Sequence, residues 1–110
     1  FIEPRRSDLI LTGGENVNPS EVEERLRAFE MINDVGVVGI PDKKWGQRVV
    51  AFLSTSNREQ PDENHLREAL KRHLRSFMIP KEFIVVDEIP RTSNGKIQRN
   101  ELLKIYQNRG

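Results

Sequence analysis

The residue types in this sequence that could do chemistry are mostly cations, and the polar loops hold the ones of interest. Three loops stand out: Arg5-Arg6-Ser7-Asp8-Leu9-Ile10-Leu11-Thr12-Gly13-Gly14-Glu15-Asn16-Val17-Asn18-Pro19, Asp42-Lys43-Lys44-Trp45-Gly46-Gln47, and Pro90-Arg91-Thr92-Ser93-Asn94-Gly95-Lys96-Ile97-Gln98-Arg99. In the third, Asn94-Gly95 predicts a tight turn, because glycine takes positive φ without a Cβ penalty. That turn projects Lys96 from the surface as a mobile cation. Local sequence alone reads the same residue as an ordinary exposed turn lysine.

Other catalytic constellations are missing from the sequence. It holds no Walker-type phosphate loop, no HExxH and no serine in a nucleophile elbow. Zero cysteines exclude disulfides, thiolate metal sites and cysteine nucleophiles, and fit a reducing compartment. His65 and His73 are eight apart, which is not a one-turn metal pair, so they are expected to be structural or surface residues. Asp87 and Glu88 are adjacent at a strand end, so their carboxylates point to opposite faces. No metal site is expected.

The elements that must position these loops follow from pattern. Leu9-Ile10-Leu11 reads as a short N-terminal strand stopped at Gly13-Gly14. Asn18-Pro19-Ser20-Glu21 is a helix start, with Asn18 as cap and Pro19 where its missing N–H costs nothing. Val22, Leu26 and Phe29 then define one buried stripe, which leaves Glu23, Glu24, Arg25 and Arg27 outside. Strands are expected over 35–40, 47–54 and 83–86, the first two pairing antiparallel. Asp62 caps a helix carrying Leu66, Ala69, Leu70, His73 and Leu74, and Glu101 to Tyr106 closes the chain as a third helix. Met31 and Met78 are expected to fill gaps. The fold class is α+β: a small three-stranded, mainly antiparallel sheet flanked by helices, plus the short N-terminal strand. At 110 residues the chain makes one domain, 1–110.

Charge is unevenly spread although the net is only +1. Residues 13–34 carry six acids and two bases, whereas 65–81 and 91–110 each carry five bases and one acid. Two basic segments flanking an acidic one suggest a surface that meets an anion, a phosphate for example; a set of solvated helix faces explains the same pattern. No apolar run is long enough to span a bilayer and no secretory leader opens the sequence, so the expected location is cytoplasmic.

Taken together, the three loops resemble the C-terminal small domain of adenylate-forming enzymes: acyl-CoA synthetases, peptide-synthetase adenylation domains and firefly-type luciferases. Pro90-Arg91-Thr92-Ser93-Asn94-Gly95-Lys96 is similar to that superfamily's lysine motif. Arg5, Asp8, Gly13-Gly14-Glu15-Asn16, Pro19 and Glu21-Val22-Glu23 resemble its hinge and glycine motif, and Asp42-Lys43-Lys44-Trp45-Gly46-Gln47 a third segment in the same order. The resemblance covers residues 5–104. Gly13-Gly14-Glu15-Asn16 with Pro19-Ser20-Glu21-Val22-Glu23 looks like an acid–CoA ligase, and Arg5-Arg6-Ser7-Asp8-Leu9-Ile10 is similar to the o-succinylbenzoate–CoA ligase form.

What the resemblance implies is a partner and two half-reactions. A large N-terminal domain, the expected partner, binds ATP with Mg²⁺ and the small carboxylic acid, and this small domain closes over them. Without that larger domain the present chain is expected to be inactive. Lys96 aligns with the lysine that bridges carboxylate and nucleotide while acyl-AMP forms, and its loss is expected to slow that step about 10²–10³-fold. Arg5 aligns with the arginine on the ribose side of ATP. Ser7 occupies the hinge position, within a hinge region 1–8, where Asp or Lys is more usual. Gly13, Gly14 and Glu15 align with the loop lining the pantetheine path of CoA. Trp45, Phe77 and Lys81 fall near the CoA nucleotide; core plugging is the rival reading for Trp45 and Phe77. A carrier-bound thiol as acceptor and a non-catalytic nucleotide- or RNA-binding module are the competing functions. The strands lack the aromatic pairs that stack RNA bases, so no nucleic-acid partner is expected.

Overall fold

The computed structural model describes residues 9–109, so Arg5, Ser7 and the hinge expectation for 1–8 lie outside the described residues. Two short strands open the chain, β1 (Ile10–Thr12) and β2 (Glu15–Val17), followed by α1 (Pro19–Leu26), β3 (Ile32–Asp42), β4 (Gly46–Thr55), α2 (Glu63–Leu70), β5 (Glu82–Val85) and α3 (Arg99–Gln107). The expected α+β order holds, with one addition. The first strand stops at Gly13-Gly14 as the sequence predicts, and the two glycines, with positive φ of 57° and 83°, turn the chain into a second strand and so make an antiparallel β1–β2 hairpin.

The three-stranded sheet has the order β3-β4-β5. The long β3–β4 pair is antiparallel, as the sequence predicts, and β5 joins β4 in parallel. A parallel neighbour requires a crossover, and α2 supplies it. Period-two alternation along the strands divides the core into two layers. Val35 and Val37 of β3, Val49, Ala51 and Leu53 of β4 and Phe83 of β5 face one way, packing with Val22 and Leu26 of α1 and with Leu66 and Leu70 of α2. Val38, Ile40, Val50, Phe52 and Ile84 face the other way, against Ile89 and Leu102. Helices therefore cover both sheet faces.

Local chemistry sets the helix starts. The Asn18 side chain accepts from Ser20 N at 2.9 Å with Pro19 next in line, and Asp62 Oδ1 accepts from Asn64 N and His65 N. Three expectations need correction. α1 ends at Leu26, so Phe29 packs from the following turn and not from the helix stripe. Glu23 is not outside: at 2% exposure it belongs to the buried face, because Pro19, Val22, Glu23 and Leu26 stand at i, i+3, i+4 and i+7. α2 ends at Leu70, so His73 and Leu74 lie in the turn beyond it. His65 and His73 are on the surface, Met78 is buried and Met31 packs against the first layer.

Candidate functional site

Lys96 lies on a loop folded back on itself. Arg91 and Ile97 form an antiparallel bridge at its base, Thr92 N donates to Lys96 O at 2.8 Å, and Gly95 N donates to Thr92 O at 2.8 Å. Gly95 has φ 86°, the left-handed conformation that makes Asn94-Gly95 a tight turn. The Lys96 side chain is exposed, and among the described residues no carboxylate lies within ion-pair distance of its ammonium. Next to it, Ile97 packs into the apolar layer beneath α3.

Gly13, Glu15, Trp45, Phe77 and Lys81, named separately from sequence, line one groove of about 250 Å³, together with Thr12 and Ser76. Three connections build it. The β1–β2 turn is tied to the β3–β4 turn by Gly13 N donating to Trp45 O at 2.9 Å. A Cβ on Gly13 would stand 3.2 Å from Trp45 Cε3, so the missing side chain lets the indole lie against the turn. On the opposite wall a 3-10 turn, Ser76–Met78, presents Phe77, and Lys81 N is fixed by Val49 O at 2.8 Å. Gly14 is not among the lining residues, and a Cβ built there meets nothing within 4 Å.

Trp45 is 38% exposed, which removes the core-plug reading for it. The ammoniums of Lys81 and Lys44 lie 4.9 Å and 5.1 Å from its ring centroid. Asp42 shapes the turn: its Oδ1 accepts from Lys44 N at 2.8 Å and Trp45 N at 3.1 Å, and these two bonds hold its carboxyl below the ordinary aspartate value. Phe77 packs against the first layer and also walls the groove. Such a groove can stack a flat ring on an aromatic face and neutralise a phosphate.

The two features belong to different sides of the sheet. Ile97 joins the layer with Val50 and Phe52, whereas Phe77 joins the layer with Val49 and Ala51. Sequence reasoning placed no residue between them, yet an ion pair of the buried Glu23 with the partly buried Arg99 links the helices of the two faces. Burial pushes the Glu23 carboxyl up from its ordinary value, and Arg99 and Val37 N–H offset that only in part. The helical stripe through Glu23 was the signal that would have found it. Among the described residues no group of three or more His, Cys, Asp or Glu is arranged to hold a metal, and no helix is long and apolar enough to cross a membrane.

The lysine turn, whose Ile97 packs in one sheet layer, and the aromatic, cationic groove, whose Phe77 packs in the other, are the two surfaces of this domain equipped to meet a ligand. Comparison with known proteins gives the family. The family model described as the AMP-binding enzyme C-terminal domain matches residues 21–96, more than half of the chain. This chain belongs to that family. It is 44% identical over 108 residues to a 2-succinylbenzoate–CoA ligase of Listeria innocua, covering 98% of this chain and 23% of that protein. It is 40% identical over 97 residues to a mitochondrial malonate–CoA ligase of Mus musculus, covering 88% and 17%. Among solved structures, the o-succinylbenzoate CoA synthetase of Bacillus subtilis bound to its acyl-adenylate intermediate superposes with a TM-score of 0.82 at 40% identity, covering 89% of this chain and 20% of that one. The chain thus spans less than a quarter of the length of these relatives.

Proposed function

We propose that this domain is the mobile C-terminal part of an ATP-dependent acid–CoA ligase and presents its two faces in turn. In the first half-reaction a carboxylate oxygen attacks the α-phosphorus of ATP, the bond to pyrophosphate breaks, and acyl-AMP remains. Lys96 bridges the carboxylate and the nucleotide, and its ammonium stabilises the charge that shifts onto the phosphate oxygens. Arg5 holds the ribose side of the nucleotide, and Ser7 is the point of bending. ATP, its Mg²⁺ and the acid are bound mainly by the N-terminal domain.

In the second half-reaction the thiol of CoA, losing its proton, attacks the acyl carbonyl and AMP leaves. Gly13, Gly14 and Glu15 line the path of the pantetheine arm, and Trp45, Phe77 and Lys81 receive the nucleotide end of CoA. The observation that carries this reading is that Ile97, next to Lys96, and Phe77, a wall of the Trp45 groove, pack in opposite sheet layers. One rigid domain with that layout offers only one of them to a cleft at a time. The names of the relatives make 2-succinylbenzoate the first acid to try.

The test uses the full-length enzyme and assays each half-reaction alone. Lys96→Ala is expected to suppress acid-dependent ATP–pyrophosphate exchange about 10²–10³-fold and to spare thioester formation from supplied acyl-AMP. Gly14→Leu is expected to do the reverse, its side chain entering open space beside the hairpin. Equal loss of both half-reactions in both variants rejects the two-face reading.

A further inference from the structure

We propose that Arg91 and Asp34 act as a positioning pair that aims Lys96, an inference that rests on the reading of Lys96 as the adenylation lysine. The hydrogen bonds within the Lys96 loop run from Thr92 to Lys96 and from Gly95 to Thr92, with Lys96 N also donating to Thr92 Oγ1 at 3.2 Å. They fix the shape of the turn, and Ile97 seats its base in the apolar layer beneath α3. The Arg91 guanidinium ties the tip of the turn, at the Gly95–Lys96 peptide, to β3. Its Nε donates to Asp34 Oδ2 at 2.9 Å and its Nη2 to Asp34 Oδ1 at 2.7 Å. The remaining Nη1 donates to Gly95 O, the carbonyl of the peptide bond whose nitrogen belongs to Lys96.

Asp34 lies on β3 and is itself held by Val35 N, which donates to Oδ1 at 2.9 Å. A continuous chain of bonds thus runs from the edge strand through one carboxylate and one guanidinium to the Lys96 peptide. Only a planar fork of donors can grip a carboxylate at two points and still reach a third acceptor; a lysine has one compact ammonium. Both side chains remain about 30% exposed, so solvent screening keeps what the pair adds to global stability modest. A shift of about 1 Å in a reacting group is enough to slow a reaction about 10²-fold. The combination predicts a rate effect much larger than the stability effect.

The experiment compares Arg91→Lys, Arg91→Gln, Asp34→Asn, Arg91→Gln/Asp34→Asn and Lys96→Ala in the full-length enzyme. The acid is the one that supports wild-type pyrophosphate exchange, 2-succinylbenzoate being tried first, and its synthetic adenylate serves the second half-reaction. Both Arg91 variants are expected to lower kcat of exchange by about 10–100-fold, leaving the KM for ATP and thioester formation from the adenylate unchanged. Asp34→Asn lowers kcat less, since an amide keeps one acceptor oxygen, and the double variant is no slower than Arg91→Gln because both belong to one chain of bonds. Rescue by Arg91→Lys overturns the fork geometry. Loss of both half-reactions together overturns positioning in favour of plain structural damage. Wild-type exchange in the Arg91 variants with Lys96→Ala inactive overturns the pair alone, whereas wild-type exchange in Lys96→Ala overturns the underlying reading of the lysine.

Discussion

Glu23 Oε2 stands 2.7 Å from Arg99 Nη2, across 76 residues of sequence, and the two groups close on the same residue of β3. The carboxylate accepts Val37 N–H at 2.8 Å, and Arg99 Nε donates to Val37 O at 3.1 Å. Both backbone groups of an edge-strand residue are satisfied by an ion pair in place of another strand. The same contact ties α1, on one sheet face, to the first residue of α3, on the other.

Breaking that pair on one side should be expensive. Glu23→Leu removes the acceptor of the Val37 N–H and one of the charged groups facing Arg99, and is expected to destabilise the domain by about 3 kcal/mol. Glu23→Gln keeps the shape and an acceptor, so it should cost less. Urea unfolding at neutral pH checks the ranking, and a Glu23→Leu variant as stable as wild type contradicts it.

Asp34 and Glu23 should respond to pH with opposite sign. Burial pushes Asp34 up, but the hydrogen bonds it accepts from Arg91 and from Val35 N–H outweigh that, so its folded value lies below the ordinary 3.8. Its contribution is present above that ordinary value and is lost as pH falls through the lower folded one. Glu23 is raised above 4.5, so the stability linked to its proton is present below 4.5 and lost as pH rises through the raised value. Relative to Glu23→Gln, the wild type should therefore lose stability on going from below pH 4.5 upward. Relative to Asp34→Asn, it should lose stability as pH drops below 3.8. Thermal melts of the three proteins across this range measure both slopes.

Trp45 is the single tryptophan and reports on its own groove. Gly13→Ala forces a Cβ into left-handed backbone and to within 3.2 Å of the indole, so it should cost about 1–2 kcal/mol and shift Trp45 emission. Gly14→Ala shares the backbone strain but meets no neighbour, so emission should stay at the wild-type wavelength. Identical spectra for the two variants would contradict the Gly13–Trp45 contact.

The 110-residue chain by itself should unfold cooperatively, because two apolar layers close on one sheet. It should nonetheless show no acid-dependent ATP–pyrophosphate exchange, since ATP and the acid are assigned to the larger partner domain. Measurable exchange by the isolated chain would mean that the ATP site had been wrongly placed.

Several features were legible in the residues alone because their causes are local. Asn18-Pro19 and Asp62 start helices through their own side chains, Asn94-Gly95 makes a turn through backbone freedom, and β-branched runs make β3 and β4. The three loops and their residue types were likewise readable in order along the chain. Contacts that depend on distant residues were not. Parallel pairing of β5 depends on where α2 delivers the chain, and the β2 strand exists because the Gly13-Gly14 turn sets Glu15–Val17 beside Ile10–Thr12. Glu23 looked like one more exposed acid on an acidic helix, since the arginine that compensates its burial arrives only with α3. Gathering Gly13, Glu15, Trp45, Phe77 and Lys81 around one groove required three separate segments to converge, and no spacing along a chain encodes that. Local conformation follows from each residue's own stereochemistry and neighbours, so the sequence determined it. Burial of charge, strand order and groove walls depend on surfaces that meet only after collapse, and those the tertiary structure decided.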